Sequence, residues 1–233
     1  NTGLNSIELM ISRIRVSSEF RKDVRTAILT TNDKCDEAIV YICNELSVKC
    51  FKGNKLDVLD RYYQAAKELN LEVIIRLTSD CPLIDPSEIS KLLQIHLANS
   101  NDYTTNSFEG STLIEGFDVE IFSFQALSKA HAEASLPSER EHVTFYFKPE
   151  NGFKCENIDP GLGFPYTRLT LDTPEDYQAI SSLMNRVSNI QEITMKDLGS
   201  LFYAHNLQKI NENIPKNEGW GTAFMADKKA RGI

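Results

Sequence analysis

Residues 72–86 read EVIIRLTSDCPLIDP, and this stretch decides the fold class. Residues 72–77 are rich in β-branched side chains and almost continuously apolar, as suits a central strand of a parallel sheet covered on both faces. The run stops at Thr78-Ser79-Asp80-Cys81-Pro82. Asp85 and Pro86 then supply an N-cap and a first helical residue, predicting a helix to about Leu97. If the extended conformation persists, positions 72, 74, 76, 78 and 80 share one face, so Arg76, Thr78 and Asp80 point towards one ligand. Ligands of open parallel sheets bind beyond the carboxyl ends of the strands, where loops and helix N-termini converge. A single carboxylate before proline is more often a solvated turn former, so Asp80 needs a companion.

The alternation continues in both directions. Residues 7–14 read as a helix, and residues 24–29 (VRTAIL) as a short strand entering Thr30-Thr31-Asn32-Asp33. Ile39, Ile42, Cys43 and Leu46 share one helical face, residues 48–51 form a brief strand, and Val58, Leu59, Tyr62, Ala66 and Leu69 form a second helical stripe. Residues 103–105 and 119–122 are strand-like, and residues 124–134 helical. Ser138 with Glu141 reads as a capping box opening a helix that carries His142, Val143 and Tyr146. Residues 153–158 and 168–171 are the last expected strands. Thr173-Pro174-Glu175-Asp176 opens another helix, and residues 195–211 a final one. The expectation is α/β: one domain over 1–214, a mostly parallel sheet with helices on both faces, and an inserted subregion at about 101–160. A polar, glycine-bearing tail, 215–233, is expected to be loosely held.

A net charge of −8 argues against nucleic acid or an anionic membrane as partner. No apolar run approaches the ~20 residues that span a bilayer, and residues 1–10 lack the pattern of a signal peptide. Five cysteines without C-x-x-C spacing read as small buried apolar residues of a reduced, cytoplasmic protein. Four scattered histidines add no metal cluster.

Asp172 is the companion. It ends the strand at 168–171 directly before a helix, and Thr173 already supplies the cap, which leaves Asp172 free. Two carboxylates converging from separate strands suit Mg²⁺, which commonly takes one or two carboxylates plus phosphate oxygens and waters.

The stretch Val58-Leu59-Asp60-Arg61-Tyr62-Tyr63-Gln64-Ala65-Ala66, followed by Ile75-Arg76-Leu77-Thr78-Ser79-Asp80-Cys81-Pro82-Leu83-Ile84-Asp85, resembles the SpsF-type (spore coat polysaccharide biosynthesis) branch of the cytidylyltransferases. So do Gly116-Phe117-Asp118-Val119-Glu120, Leu136-Pro137-Ser138-Glu139-Arg140-Glu141-His142-Val143-Thr144, and Leu171-Asp172-Thr173-Pro174-Glu175-Asp176-Tyr177. Relatives of that branch make CMP-activated acylneuraminate and 3-deoxy-octulosonate sugars. The resemblance implies a Rossmann-like nucleotide-diphospho-sugar transferase fold. It also implies a homodimer built around residues 116–124 and Mg²⁺-dependent transfer of CMP from CTP to a sugar hydroxyl, with release of pyrophosphate.

By position, Asp80 and Asp172 match the family's metal-binding, catalytic carboxylates. Thr30, Thr31 and Asn32 match the segment beside the base, and Arg76 and Thr78 lie where nucleotide contacts are expected. Asp118, Glu120, Arg140 and His142 match the variable sugar-facing region, although Arg140 and His142 equally suit a charged helix face and a half-buried histidine. Arg61 fits a phosphate contact or an ion pair near Asp60, and Tyr62 and Tyr63 read as core and rim. The family's first strand and its glycine- and arginine-containing phosphate loop have no match in residues 1–15. Either they precede Asn1 in the full protein, which we favour, or the chain is shortened and no longer turns over CTP. Two other readings stay open: a glycosyltransferase, against which Asp80 and Asp85 are too far apart for Asp-x-Asp, and an inert homologue binding nucleotide or a protein.

Overall fold

The computed structural model describes residues 3–16, 24–164, 167–215 and Asp227. Helix α1 (Ser6–Val16) leads to β1 (Ala27–Thr31), α2 (Glu37–Glu45), β2 (Lys49–Gly53), α3 (Val58–Glu68), β3 (Val73–Arg76) and α4 (Pro86–Asn99). Then come β4 (Tyr103–Thr105), β5 (Glu120–Ser123), α5 (Phe124–Glu133), α6 (Pro137–His142), β6 (Cys155–Asn157), α7 (Pro174–Met184) and α8 (Met195–Ala204). The caps follow the local chemistry. Asp57, Asp85, Ser123, Thr173 and Thr194 each accept a backbone N–H at the start of α3, α4, α5, α7 and α8.

The chain is α/β, with helices on both faces of the sheet. β1 and β2 pair in parallel, as do β4 and β6. β5 runs antiparallel to β3 and to β4, giving the order β3-β5-β4-β6. Alternation on β5 sets the two layers. Phe122 joins Leu59, Ile74, Tyr103 and Leu127 beneath α3 and α5, whereas Val119 and Ile121 join Met10, Ile84 and Leu92 beneath α1 and α4. A third cluster packs α7 and α8 around Ile114, Phe117 and Leu169.

Among the described residues, β1 and β3 each pair along one edge only. Helix α1 spans both sheets: Ile7 and Ile11 pack with Val48 and Ile28, and Met10 packs with Cys81 and Ile121. Arg13 fixes the helix there. It is fully buried and donates to the carbonyls of Ile84 (2.8 Å), Ile190 and Ile193 (2.8 Å).

Several expected boundaries move. The strand expected at 168–171 is reduced to a parallel bridge between Arg168 and Glu115, because its backbone bonds go to Glu115 and Asp80 on two different loops. The helix expected over 195–211 stops at Ala204, broken by Asn206 at φ +54°, and a 3₁₀ turn (Leu207–Ile210) follows. The helix expected to open at Ser138 opens at Pro137, with Glu139 accepting from the Leu136 and Ser135 N–H groups. It ends at His142, because Val143 adopts φ +61°. Cys43 and Cys81 are buried as expected, but Cys35 is exposed in the turn after β1, where no core reaches it. Of the tail from 215, only Pro215 and Asp227 lie within the described residues.

Candidate active site

Beyond β3 the chain turns sharply, Cys81 N–H donating to the Thr78 carbonyl at 3.0 Å. Leu171 N–H donates to the Asp80 carbonyl at 2.7 Å, and the Thr170 hydroxyl reaches the same oxygen at 3.2 Å. That long-range pairing places Asp172 one residue beyond the partner of Asp80. Both aspartates line a cavity of about 870 Å³. Arg76 and Thr78 line it as well, as one strand face requires.

The same cavity is lined by Asp118, Glu120 and His142, together with Tyr103, Thr144, Phe145 and Phe147. Glu120 is the hub of this group. It accepts from Arg76, from the Tyr103 hydroxyl at 2.8 Å and from the Thr144 hydroxyl. Burial alone would lower the Arg76 pKa, but the facing Glu120 carboxylate raises it, so the guanidinium stays charged. Asp118 accepts from Ser107 Oγ at 2.5 Å and from Gly116 N–H at 3.1 Å. Burial pushes its pKa up against those bonds. Burial likewise pulls His142 down, which keeps its ring neutral near pH 7, and His142 stacks on Phe145 at 4.5 Å. The Cys81 thiol is raised well above its ordinary value by burial and by the Asp118 and Asp80 charges, so it is no thiolate nucleophile.

Arg168 organises the Asp172 side. It pairs with Glu115 (2.6 Å), Asp172 (2.5 Å) and the fully buried Asp176 (2.9 Å). Burial works against its charge, and the Asp176 hydrogen bond together with the Glu115, Asp176 and Asp172 charges more than restores it. Among the described residues, only Oδ2 of Asp172 is engaged, by Arg168 and by Thr170 at 3.3 Å, and the Asp80 carboxylate meets only the weak thiol donor of Cys81, at 3.7 Å. This donor set fits a hard divalent ion that takes its other ligands from phosphate and water. It does not make a protein-only cage: among the described residues, no group of three or more His, Cys, Asp or Glu side chains is placed to hold a metal.

The remaining expected site residues lie elsewhere. Thr30 and Thr31 donate their hydroxyls to Asp36 at 2.8 and 2.5 Å, holding that carboxyl down at about 2. They thus shape the strand end, with their hydroxyls already committed. Asn32 lines a second hollow of about 670 Å³ with Asp33, Gly53, Asn54, Lys55 and Leu56, beyond β1 and β2. Arg140 does not line the larger cavity. Asp57 captures its guanidinium at 2.6 and 3.0 Å, and Arg140 also donates to the His131 carbonyl, so its side chain is engaged away from the cavity rather than sugar-facing. Arg61 reaches the Leu29 carbonyl at 3.5 Å and lies across Gly53, so it makes no ion pair with Asp60. Tyr62 packs edge-on to Phe122, and Tyr63 stacks on His131 at 4.1 Å, as core and rim.

The profile of the family described as cytidylyltransferase matches residues 4–210. The chain belongs to this family. Uncharacterized protein MJ1063 of Methanocaldococcus jannaschii is 33% identical over 211 residues, covering 89% of this chain and 84% of its own. The spore coat polysaccharide biosynthesis protein SpsF of Bacillus subtilis is 27% identical over 204 residues, covering 84% and 82%. A solved cytidylyltransferase from Leptospira borgpetersenii superposes with a TM-score of 0.82 at 30% identity, over 91% of this chain and 88% of that one. CMP:2-keto-3-deoxy-manno-octonic acid synthetase, solved with CTP, shares the fold at a TM-score of 0.53 and 12% identity, over 77% and 88%. The enzyme class is therefore nucleotidyltransferase, on the nucleotide-sugar transferase fold.

Two features of this cytidylyltransferase site escaped the sequence reading. Arg168 was read as a strand residue. Its signal was a lone charge within Thr167-Arg168-Leu169-Thr170-Leu171, which burial obliges to be paired. Gly116 was quoted only as a motif member. At φ +104°, a Cβ there would lie 2.5 Å from the Leu169 carbonyl carbon, so only glycine lets this loop touch the strand end that carries Asp172.

Proposed function

We propose that this cytidylyltransferase transfers CMP from CTP to a sugar hydroxyl, releasing pyrophosphate, with Mg²⁺ held by Asp80 and Asp172. The observation that carries the reading is the Leu171–Asp80 backbone bond, which draws Asp80 and Asp172 into one cavity that Asp118 and Glu120 also line. The bound ion would supply positive charge to the triphosphate and to the leaving pyrophosphate. The chain's own residues do the rest. Arg168 orients Asp172, and the Asp80 turn presents its carboxylate to the same space. Aromatic rings and the Glu120 hub position the acceptor for in-line attack of its hydroxyl oxygen on the α-phosphorus.

The acceptor class is a nonulosonate or an amino sugar, and the product serves surface polysaccharide or glycan assembly, as the SpsF relative's name suggests. We place the enzyme in the cytoplasm as a homodimer. No helix among the described residues is long and apolar enough to cross a membrane. The single-domain reading is part of the proposal: a strand laid between the free edges of β1 and β3 would join the two sheets, and the phosphate loop of the family follows such a strand.

The test is pyrophosphate release by the full-length protein from CTP, with Mg²⁺ and with each acceptor class in turn. Asp80→Asn should lower release at least ~100-fold with the fold intact, the scale seen when charge stabilisation is removed from an active site. Undiminished turnover in that variant would overturn the metal assignment.

A further inference from the structure

Asp227 lies far along the polar tail, yet only 9% of it is exposed. Its carboxylate accepts two hydrogen bonds from Ser138, one from the backbone N–H at 3.0 Å and one from the hydroxyl at 2.5 Å. Ser138 is itself 2% exposed and is the second residue of α6. A carboxylate is rarely buried without a specific partner, because desolvation costs several kcal/mol. Here the partner is the start of the segment that forms one wall of the cavity.

The wall follows directly from α6. His142, Thr144, Phe145 and Phe147 all line the cavity. Between them Val143 is fully buried at φ +61° and ψ −59°. A β-branched residue in that conformation costs on the order of 1–3 kcal/mol and persists only where its surroundings hold it. One support lies downstream, where the Thr144 hydroxyl donates to Glu120. The upstream supports are Glu139 closing the first turn, Arg140 on Asp57, and the Asp227 clamp on Ser138. Loss of the clamp would let α6 slide or unwind, which relaxes Val143 and withdraws Thr144 from Glu120.

We infer that Asp227 is a positioning residue: through Ser138 and α6 it holds the wall formed by His142, Thr144, Phe145 and Phe147 in place for the acceptor. The inference rests on the reading of that wall of the cavity as the acceptor site. Asp227 is thereby part of the active-site architecture, which it reaches through Ser138 and α6. A phosphate or metal ligand on the Asp80 side has no such dependence.

Two kinds of measurement test this in the full-length protein. The first needs no substrate. In Asp227→Ala, hydrogen exchange of the amides of 138–147 should accelerate at least ~10-fold while those of α7 stay unchanged, and the His142 pKa by NMR should fall, because a nearby negative charge that favours imidazolium is gone. Unchanged exchange and an unchanged His142 titration would overturn the clamp. The second is kinetic. Asp227→Ala should raise the acceptor KM about 10-fold, the loss of roughly one charge-assisted hydrogen bond, while the Mg²⁺·CTP affinity stays within about twofold. Ser138→Ala keeps the backbone N–H and should show a smaller effect, and the double variant should be no worse than Asp227→Ala, because the two residues act as a pair. An equal loss of CTP and acceptor affinity would reduce Asp227 to a general stabiliser and overturn the positioning role. If the wild-type protein binds CTP but turns over no acceptor, the acceptor reading fails, and the exchange measurement still decides the clamp.

Discussion

Replacing Asp176 with asparagine is the sharpest probe of how the Asp172 side of the cavity is held. Oδ1 of Asp176 accepts from Arg168 Nε at 2.9 Å and Asn211 Nδ2 at 2.9 Å. Oδ2 accepts from Arg168 Nη2 (3.0 Å), Asp172 N–H (3.2 Å) and Thr173 N–H (3.1 Å). Whichever way an asparagine amide is turned, its NH₂ meets at least two of these donors. Arg168 meanwhile loses its one fully buried counter-charge. Breaking a buried pair from one side costs about 3–5 kcal/mol. At roughly 2–4 °C per kcal/mol for a domain of this size, Asp176→Asn should melt on the order of 10 °C lower. Urea titration with an unchanged slope gives the free energy directly. The released Arg168 swings towards Asp172 and Glu115, so pyrophosphate release should fall as well. The apolar pair Arg168→Met with Asp176→Leu separates the two effects, since it should recover stability without recovering activity. A loss below about 1 kcal/mol in Asp176→Asn would refute the reasoning, because it would mean that the buried charge is not required.

Proton linkage checks the same residue. Burial would raise the Asp176 pKa, but the hydrogen bonds from Arg168, Asn211 and the Asp172 N–H and the Arg168 charge together outweigh it and depress the folded-state value below the ordinary 3.8. A depressed carboxylate contributes stability that is present above the unfolded pKa and is lost as pH falls through the folded one. The gap in unfolding free energy between the parent and Asp176→Asn should therefore be full at pH 7 and narrow below about pH 4.

Two further perturbations test the frame around the site. Arg13→Met keeps the buried volume but strips the donor from three carbonyls; a loss of about 2–4 kcal/mol in denaturant titration is expected, and a loss under 1 would dismiss Arg13 as the anchor of α1. Burial already brings the Arg13 pKa down to about 10, opposed by Asp85, which shows how completely the guanidinium is desolvated. Gly116→Ala adds a Cβ within 2.6 Å of the Leu169 carbonyl oxygen and the Thr170 nitrogen at a left-handed φ, so it should cost at least ~2 kcal/mol and depress turnover. Full activity with wild-type stability in that variant would show that the loop need not touch the strand end.

The two candidate aspartates were legible because they sit where local signals are strongest. Asp80 ends a continuous apolar run, and Asp172 precedes an Asp- and Glu-bearing first turn after Thr173-Pro174, so both could be located from neighbours a few positions away. Their adjacency could not, since it depends on Leu171 bonding to Asp80 across 91 positions of chain. The antiparallel β5 was hidden for a related reason. A strand covered on both faces shows the same apolar run whichever way its neighbours point, and Ile121 and Phe122 fill opposite layers just as a parallel strand would. Arg140 shows the converse case. It lies in a motif segment two residues from His142, but a helix sends positions 140 and 142 to different sides. Asp57, the cap of α3, takes the arginine, while His142 goes to the cavity. Asp227 had no signal at all, because a carboxylate in a polar tail looks solvated until the buried serine that needs it is known. Local chemistry thus announces which groups can react. Long-range pairing decides which of them meet, and in this enzyme those pairings are backbone bonds and buried ion pairs that no sequence period encodes.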